Sequence, residues 1–276
     1  MTEADSPQRT VDSPVPDTFA KPARRYKTRF VLLYAALALI GIAAITGFVV
    51  LVVKPAAGGS SSSSSGWSSW KPSHGTTAQM ATQIADHVAR EYHLNKSGAQ
   101  LVAVVAGPPQ VTSGTHKITV SNLAVKKAAK STAGIQIIPS GKTWTDQLCG
   151  IGGTGCSIPT GQPSVTRGRL VRREALEVAL YTFKFVPSIQ SIVAFMPPPA
   201  GQNPSTLLYL QKQNLEKELS QPLDKTLPLK TPPLPTSPDL KEKATIDKLT
   251  LPAIYSYNYQ QLQDASALLV LNPFQS

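Results

Sequence analysis

The chain has 276 residues, and its 27 lysines and arginines outnumber its 16 aspartates and glutamates, which gives a formal net charge of +11 at pH 7. Two cysteines cannot supply the three or four ligands of a tetrahedral metal site, and the four histidines lack ligand spacing, so no metal centre is expected. The chain has no GxSxG and no HExxH motif, which removes the usual signatures of a serine hydrolase and a zinc protease.

Residues 1–29 form a polar N-terminal segment. After Met1, its only sizeable apolar side chains are Val11, Val15, Phe19 and Tyr26. A segment of this composition buries too little surface to offset the entropy cost of ordering. We therefore predict a disordered tail over residues 1–29.

Phe30–Val53 is an apolar segment of 24 residues without a charged side chain. As a helix it would be about 36 Å long, enough to cross a hydrocarbon core of about 30 Å. Five basic residues stand directly before it: Lys21, Arg24, Arg25, Lys27 and Arg29. This pattern predicts one transmembrane helix, with the N-terminus in the cytoplasm and the residues after Lys54 outside. A cleaved signal peptide is the alternative, although its apolar region would have only about 7–15 residues.

The rest of the chain divides into a linker and a domain. Residues 54–66, KPAAGGSSSSSSG, are typical of a flexible Gly/Ser linker, whose root-mean-square span is about 20 Å. Residues 67–276 form the predicted extracytoplasmic domain. Within it, residues 222–238 contain six prolines and favour polyproline II. This segment is either an extended stretch across the domain or a recognition segment for a groove.

The predicted elements of the domain mix helices and strands. Met80, Ile84 and Val88 recur at i, i+4 and i+8, with Thr76 or Thr77 available as the helix cap. In chain order we predict a helix over 78–93, strands over 101–106, 117–125 and 135–139, a helix over 165–185, and strands over 192–196, 205–210, 254–260 and 267–271. The last two strands can pair across a turn near Asp264 and Ser266. The predicted fold class is α+β, with a mostly antiparallel sheet and two main helices.

Cys149 and Cys156 are the only cysteines, and they enclose a glycine-rich stretch. Outside the membrane, an even and closely spaced pair favours a disulfide. Two free thiols, or a redox or metal role, are the alternatives. The four glycines at 150, 152, 153 and 155 resemble a phosphate-binding loop, but that fingerprint requires a helix directly after it, and Cys156-Ser157-Ile158-Pro159 follows instead.

Positive charge is concentrated in one half of the domain. Residues 96–184 hold 11 basic and 3 acidic residues, whereas residues 185–276 hold 7 of each. Candidate partners are the headgroups of the lipid bilayer, an anionic envelope polymer and another membrane protein, while a merely solvated surface is the alternative. Nucleic acid is not expected, because the aromatic residues that stack on bases are sparse there.

The helix over 165–185 carries much of this charge. Its candidate anion-binding residues are Arg167, Arg169, Arg172 and Arg173. Helical projection places Arg169, Arg173 and Glu177 opposite the apolar face, where Arg173 and Glu177 can pair at i, i+4. Arg172 projects into the apolar face and must be paired or reach outward. An internal ion pair, with Asp146 or Glu174 as the nearest acidic residues in sequence, is the alternative to anion binding.

Three short stretches carry a resemblance to a known group of proteins. With CSIPTGQPS at 156–164, RRE at 172–174 and ALYTF at 179–183, the chain resembles an uncharacterised group of single-pass membrane proteins from high-GC Gram-positive bacteria. The resemblance spans residues 67–276 and implies a cell-envelope protein of actinobacterial type. It implies no activity, no cofactor and no catalytic residues.

Together these features predict a membrane-anchored, extracytoplasmic module that binds or assembles a component of the cell envelope, with an anionic component as a candidate. The alternative is an envelope enzyme that acts on wall or lipid-linked substrates. An enzyme should show a deep pocket where two or more ionisable groups converge, at least one of them with a shifted pKa. A binding module should show a charged patch or an exposed groove.

Overall fold

The computed structural model describes residues 66–113, 116–127, 134–152, 156–236 and 240–274. These residues fall within one compact unit, Ser63–Ser276. The predicted tail, the apolar segment Phe30–Val53 and residues 54–65 of the predicted linker lie outside the described residues. Within the described ranges, no helix combines the length and the apolar character that crossing a bilayer requires.

Five α-helices lie in the described residues. They are α1 (Thr77–Ala89), α2 (Val165–Phe185), α3 (Glu216–Ser220), α4 (Leu223–Thr226) and α5 (Leu240–Thr250). The two predicted helices are confirmed as α1 and α2. Thr76 rather than Thr77 caps α1, because its Oγ1 accepts a hydrogen bond from the backbone N–H of Gln79 while the Gln79 side chain accepts one from the backbone N–H of Thr76.

Nine strands lie in the described residues. They are β1 (Ala103–Gly107), β2 (Gln110–Ser113), β3 (His116–Lys126), β4 (Ile135–Pro139), β5 (Thr143–Cys149), β6 (Ser191–Phe195), β7 (Thr206–Gln211), β8 (Ile254–Gln261) and β9 (Ala267–Pro273). The sequence predicted seven of them and missed β2 and β5. The predicted pairing of the last two strands is confirmed, since β8 and β9 are antiparallel neighbours and the backbone N–H of Ser266 donates to Asp264 Oδ1 in the turn between them.

The sheet corrects the predicted fold class. It is a mixed, nearly closed sheet in the order β1-β5-β6-β7-β8-β9-β3-β2, with β4 also paired to β3. Six of the eight pairs of described strands are antiparallel, but the expected mostly antiparallel sheet included neither the two parallel pairs nor the near closure. Its two parallel pairs are β5–β6 and β3–β9. The first arises because α2 carries the chain from the end of β5 back to the start of β6, and a parallel pair needs such a crossover. Without β5 in the prediction, the crossover could not be recognised.

The two faces of the sheet bury different cores. On the face covered by α1 and α2, one cluster includes Ile84, Leu176 and Ile192. On the other face, Val193 of β6 packs in one cluster with Val120 of β3, although three strands separate β6 from β3 in the sheet. The sheet therefore curls until it is nearly closed around this second core. Tyr255, Tyr257 and Tyr259 of β8 pack against the same core.

The helix α5 was not predicted, and it changes the environment of α2. It packs against α2, and the side chains that it buries are spaced four apart: Glu242, Ile246 and Thr250. Arg173 of α2 is only 1% exposed as a result. The face of α2 that the projection assigned to solvent is therefore an interface with α5.

Candidate functional site

A cleft of about 430 Å³ lies beside the C-terminal half of α2. The start of the described chain, the end of α1, α2 itself and the segment that follows α3 form its walls. The side chains that give it chemical character are Trp67, His87, Glu91, Glu177, Tyr181 and Asp224. We name it the Trp67 cleft.

Aromatic rings form one wall of the Trp67 cleft. Trp67 meets Tyr181 edge to face at 5.3 Å between ring centroids, and Trp70 stacks on His87 at 3.9 Å. Burial, with the charge of Arg90, lowers the pKa of His87 to about 4, so this imidazole is neutral at pH 7. The backbone N–H of Leu223 donates to the carbonyl of Trp67 at 2.8 Å, which fixes the start of the described chain against the far wall.

Glu177 is the innermost carboxylate of the Trp67 cleft. Its Oε2 accepts hydrogen bonds from the Tyr92 hydroxyl at 2.6 Å and from Arg173 Nη1 at 3.0 Å, while its side chain keeps 17% exposure. Burial raises the pKa of Glu177, and the Arg173 charge opposes that rise. The predicted i, i+4 pair of Arg173 and Glu177 is thus confirmed, as a buried pair rather than a surface one.

Two more carboxylates stand at the rim. Glu91 and Asp224 are exposed, and neither forms an ion pair within the described parts of the chain. Lys230 is the cation that lines the same rim. The Trp67 cleft is therefore acidic, in a chain whose overall charge is strongly positive.

Arg173 connects the cleft to the interior. Its Nε donates to Glu242 Oε2 at 2.5 Å, and its Nη2 donates to Glu242 Oε1 at 3.1 Å and to the Leu229 carbonyl at 2.8 Å. It also bonds the Tyr92 hydroxyl. The backbone N–H of Leu229 donates to Glu242 Oε1 at 2.7 Å. The proline-rich segment is therefore anchored to α2 and α5 at Leu229, but it does not adopt polyproline II throughout, because its residues Leu223–Thr226 form the helix α4.

Arg169 and Arg172 share one carboxylate. Nη2 of Arg169 lies 3.0 Å from Asp247 Oδ2, and Nη2 of Arg172 lies 2.7 Å from Asp247 Oδ1. Arg172 also donates to Thr250 Oγ1 at 2.8 Å. The internal partner is thus Asp247 of α5, not Asp146 or Glu174. Anion binding by these arginines stays a prediction, and their guanidinium groups already have internal partners.

Arg167 differs from the other three arginines. It is 9% exposed, and its Nη1 donates to the carbonyls of Thr160 at 2.9 Å and Gly161 at 3.0 Å. No carboxylate of the described residues forms an ion pair with it. Burial lowers the pKa of this guanidinium, but arginine keeps its charge at any physiological pH.

Two carboxyl groups are buried without partners. Neither oxygen of Asp146 and neither oxygen of Glu174 has a hydrogen-bond partner among the described residues. Burial raises the pKa of Asp146 to about 7, and burial together with the nearby Glu177 raises the pKa of Glu174 well above its ordinary value. Asp146 sits on β5 in register with Ala106 of β1 and Ala194 of β6, so small side chains flank it on both neighbouring strands.

The predicted disulfide between Cys149 and Cys156 is confirmed. It joins the end of β5 to the segment that leads into α2, and the backbone N–H of Gly150 donates to the Cys156 carbonyl at 2.9 Å. A β-carbon at Gly150 would lie 2.1 Å from the Ser157 carbonyl oxygen, so this close approach requires glycine. The described residues contain no group of histidine, cysteine, aspartate or glutamate side chains that could hold a metal ion.

Comparison with models of protein families, with curated proteins and with solved structures finds no match to this chain.

Sequence reasoning missed the Trp67 cleft, because its walls come from four separate parts of the chain. Trp67 and Trp70 follow the linker directly, and two tryptophans so close to a Gly/Ser stretch were the one local sign of a docked segment. Glu91 and Asp224 carry no sign at all, since a single exposed acid is common on any surface.

Proposed function

We propose that residues 67–276 form a ligand-binding module of the cell envelope, held at the membrane by the apolar segment Phe30–Val53. The observation that carries the proposal is the Trp67 cleft, where aromatic rings and carboxylates face one open space of about 430 Å³. A cavity of this size, partly apolar and with a few convergent polar groups, is the usual form of a binding site.

The charge of the cleft suggests the class of ligand. Glu177 is paired with Arg173, but Glu91 and Asp224 have no ion-pair partner among the described residues and outnumber Lys230. Aromatic faces attract cations, and the Trp67 ring already has Lys184 Nζ at 5.6 Å from its centroid. Three of the four arginines proposed for anion binding already contact carboxylates of this chain. We therefore propose that the Trp67 cleft binds an amine-bearing ligand, such as a lysine-containing segment of another envelope component.

A second candidate function is hydrolysis of a wall or lipid-linked substrate. Two glutamates, Glu91 and Glu177, line the same cleft, and burial raises the pKa of Glu177, as a general acid requires. However, Glu177 Oε2 is already held by Tyr92 and Arg173, which favours a structural and binding role. A Glu177→Gln variant that still binds ligand but loses turnover would favour the enzyme instead.

The binding proposal is tested with the full-length protein in dodecyl maltoside. The probe is a tetralysine peptide, followed by tryptophan fluorescence and by calorimetry, with the fully acetylated peptide for comparison. Removing both rim charges with Glu91→Gln and Asp224→Asn should weaken tetralysine binding at least about tenfold, since charge-assisted bonds contribute about 1.5–3 kcal/mol.

The matched control removes two exposed acids elsewhere, with Asp86→Asn and Glu216→Gln. Equal affinity of the two double variants, or equal binding of the acetylated peptide, would contradict a cleft that selects amines. In intact cells, a photo-crosslinker at Lys230 should recover amine-bearing envelope components. Recovery of lipid and wall polymer alone would favour envelope binding over protein assembly.

A further inference from the structure

The strand β4 (Ile135–Pro139) forms one edge of the described sheet. It pairs with β3 in regular antiparallel register, and no other described strand pairs with it. Alternate residues of an edge strand direct their backbone N–H and C=O groups away from the sheet, where a further strand can bond them. β4 can therefore act as a template for one more strand.

β4 lacks the features that usually prevent such pairing. Its sequence, IQIIP, contains no charged residue, and its only proline is the last residue. Ile138 packs against the core that the curled sheet encloses, so Ile135 and Ile137 lie on the opposite, outer face, where they are 41% and 56% exposed. Natural proteins protect an edge strand with charges, proline, bulges or a covering segment. An apolar edge without this protection indicates a surface on which another chain docks.

The side chains around β4 are basic. The described lysines nearest to it along the chain are Lys126, Lys127 and Lys142. Lys126 is the cross-strand partner of Ile135, and the backbone N–H of Lys127 donates to the Gly134 carbonyl at 3.3 Å. None of the three lysines forms an ion pair with a described carboxylate, and residues 92–145 contain no aspartate or glutamate. The positive charge at β4 is therefore not compensated by an ion pair within the described residues.

We propose that β4 is the docking edge for an extended, acidic segment of a partner protein, which adds to the sheet as a further strand. The backbone groups of the segment bond those of β4, as in other cases of strand addition. Its apolar side chains pack on Ile135 and Ile137, and its carboxylates pair with Lys126, Lys127 and Lys142. This surface shares no residue with the Trp67 cleft and does not depend on the function proposed for it.

Two other occupants fit this edge less well. A second copy of the chain would bring the same three lysines against the first set, and like charges on neighbouring strands repel. A lipid surface attracts lysines, but lipid tails offer no partner for the free backbone groups of an edge strand. An acidic segment satisfies both the charge and the backbone.

The binding test uses the full-length protein in dodecyl maltoside and three fluorescein-labelled peptides, followed by fluorescence anisotropy. The first peptide is EIEVTVE, in which acidic or polar side chains alternate with apolar ones. The second has the same sequence with every backbone amide N-methylated, and in the third lysine replaces each glutamate. We expect the acidic peptide to bind and each of the other two to bind at least about tenfold more weakly, because they lack the backbone donors or the complementary charge.

The test variant is Ile137→Asp, and Ile151→Asp is its matched control. The two isoleucines are 56% and 52% exposed, so neither substitution places a carboxylate in a core, and both change the net charge equally. Ile137→Asp sets a carboxylate on β4 against those of the acidic peptide and should weaken its binding at least about tenfold, whereas Ile151→Asp should bind as wild type does. The melting temperatures of both variants check that they are folded.

Two further measurements separate the other occupants: dihexanoyl phosphatidylglycerol tests a lipid surface, and light scattering tests a second copy. The proposal is overturned if wild type does not bind the acidic peptide, if the N-methylated peptide binds equally well, or if Ile137→Asp and Ile151→Asp bind the acidic peptide equally. It is overturned as well, in favour of a lipid surface or a second copy, if Ile137→Asp abolishes lipid binding or dissociates a dimer and leaves peptide binding unchanged.

Discussion

Arg173 and Glu242 form a two-bond ion pair that joins α2 to α5, with 2.5 Å between Nε and Oε2 and 3.1 Å between Nη2 and Oε1. Their side chains are 1% and 2% exposed. The same Glu242 also accepts the backbone N–H of Leu229. One carboxylate therefore holds both the helix interface and the proline-rich segment in place.

Glu242→Gln should lower the free energy of unfolding by about 3 kcal/mol, because breaking a buried pair leaves a charge only partly compensated. Arg173 would keep Glu177 as its remaining carboxylate. Urea unfolding monitored by circular dichroism checks this, with Glu216→Gln as the control because Glu216 is exposed. Identical midpoints for the two variants would show that the pair contributes nothing.

Asp146 should make the protein less stable as the pH rises. The pKa of Asp146 in the folded protein is about 7, above the ordinary value of 3.8, because burial favours the protonated carboxyl. The stability that this protonated carboxyl contributes is fully present below pH 3.8 and is lost as the pH rises through 7. Asp146→Asn should match wild type near pH 4 and be more stable at pH 8, by about 2–4 kcal/mol.

Thermal unfolding from pH 4 to pH 8 measures this difference. Asp224→Asn serves as the control, because Asp224 is exposed. If the Asp146→Asn and wild-type stability curves run parallel over the whole range, the buried carboxyl does not titrate there.

The disulfide should stabilise the fold because it closes a loop and so restricts the unfolded chain. Cysteines seven positions apart close a short loop, and the chain-entropy model assigns it about 2.5 kcal/mol. The double variant Cys149→Ser, Cys156→Ser should therefore unfold at lower urea. Titration of the oxidised wild type should find no reactive thiol, and two reactive thiols in that sample would refute the bond.

The two adjacent threonines at the start of α1, Thr76 and Thr77, allow a matched test of the helix cap. Thr76→Ala removes the side chain that accepts the Gln79 N–H and should cost about 1 kcal/mol of stability. Thr77→Ala lies within the helix and should cost much less. Equal losses in chemical unfolding would mean that the capping box is not what stabilises the start of α1.

Local patterns in the sequence predicted α2 with its observed bounds, because apolar side chains recur at helical spacing over 165–185. The same patterns missed α5, because its buried side chains include Glu242 and Thr250, which look like solvent-facing residues until Arg173 and Arg172 are placed against them. They missed β5 as well, since Asp146 interrupts its apolar alternation. In both α5 and β5, buried polar residues interrupt the apolar spacing by which a helix or strand is recognised in the sequence.

The site was harder still to predict. The sequence identified the arginines of α2 but could not show which of them have internal carboxylates, since Asp247 lies 78 residues after Arg169. The disulfide, by contrast, could be predicted from the expected extracytoplasmic location of the domain and the close spacing of its two cysteines. Contacts that are local in sequence could be predicted, and contacts between distant segments could not.

The parallel pairing of β3 with β9 has a consequence for how the protein folds. Ser121 and Ser266, whose hydroxyls meet at 2.9 Å at this seam, are 145 residues apart in the chain. The inner core cannot close until β9 has been made, so β3, β6 and β7 keep apolar side chains open to solvent in every shorter nascent chain. Pairings of such long range fold slowly and expose surfaces that aggregate. Strand β9 is thus the last of the described strands to be synthesised and the one on which closure of the sheet depends.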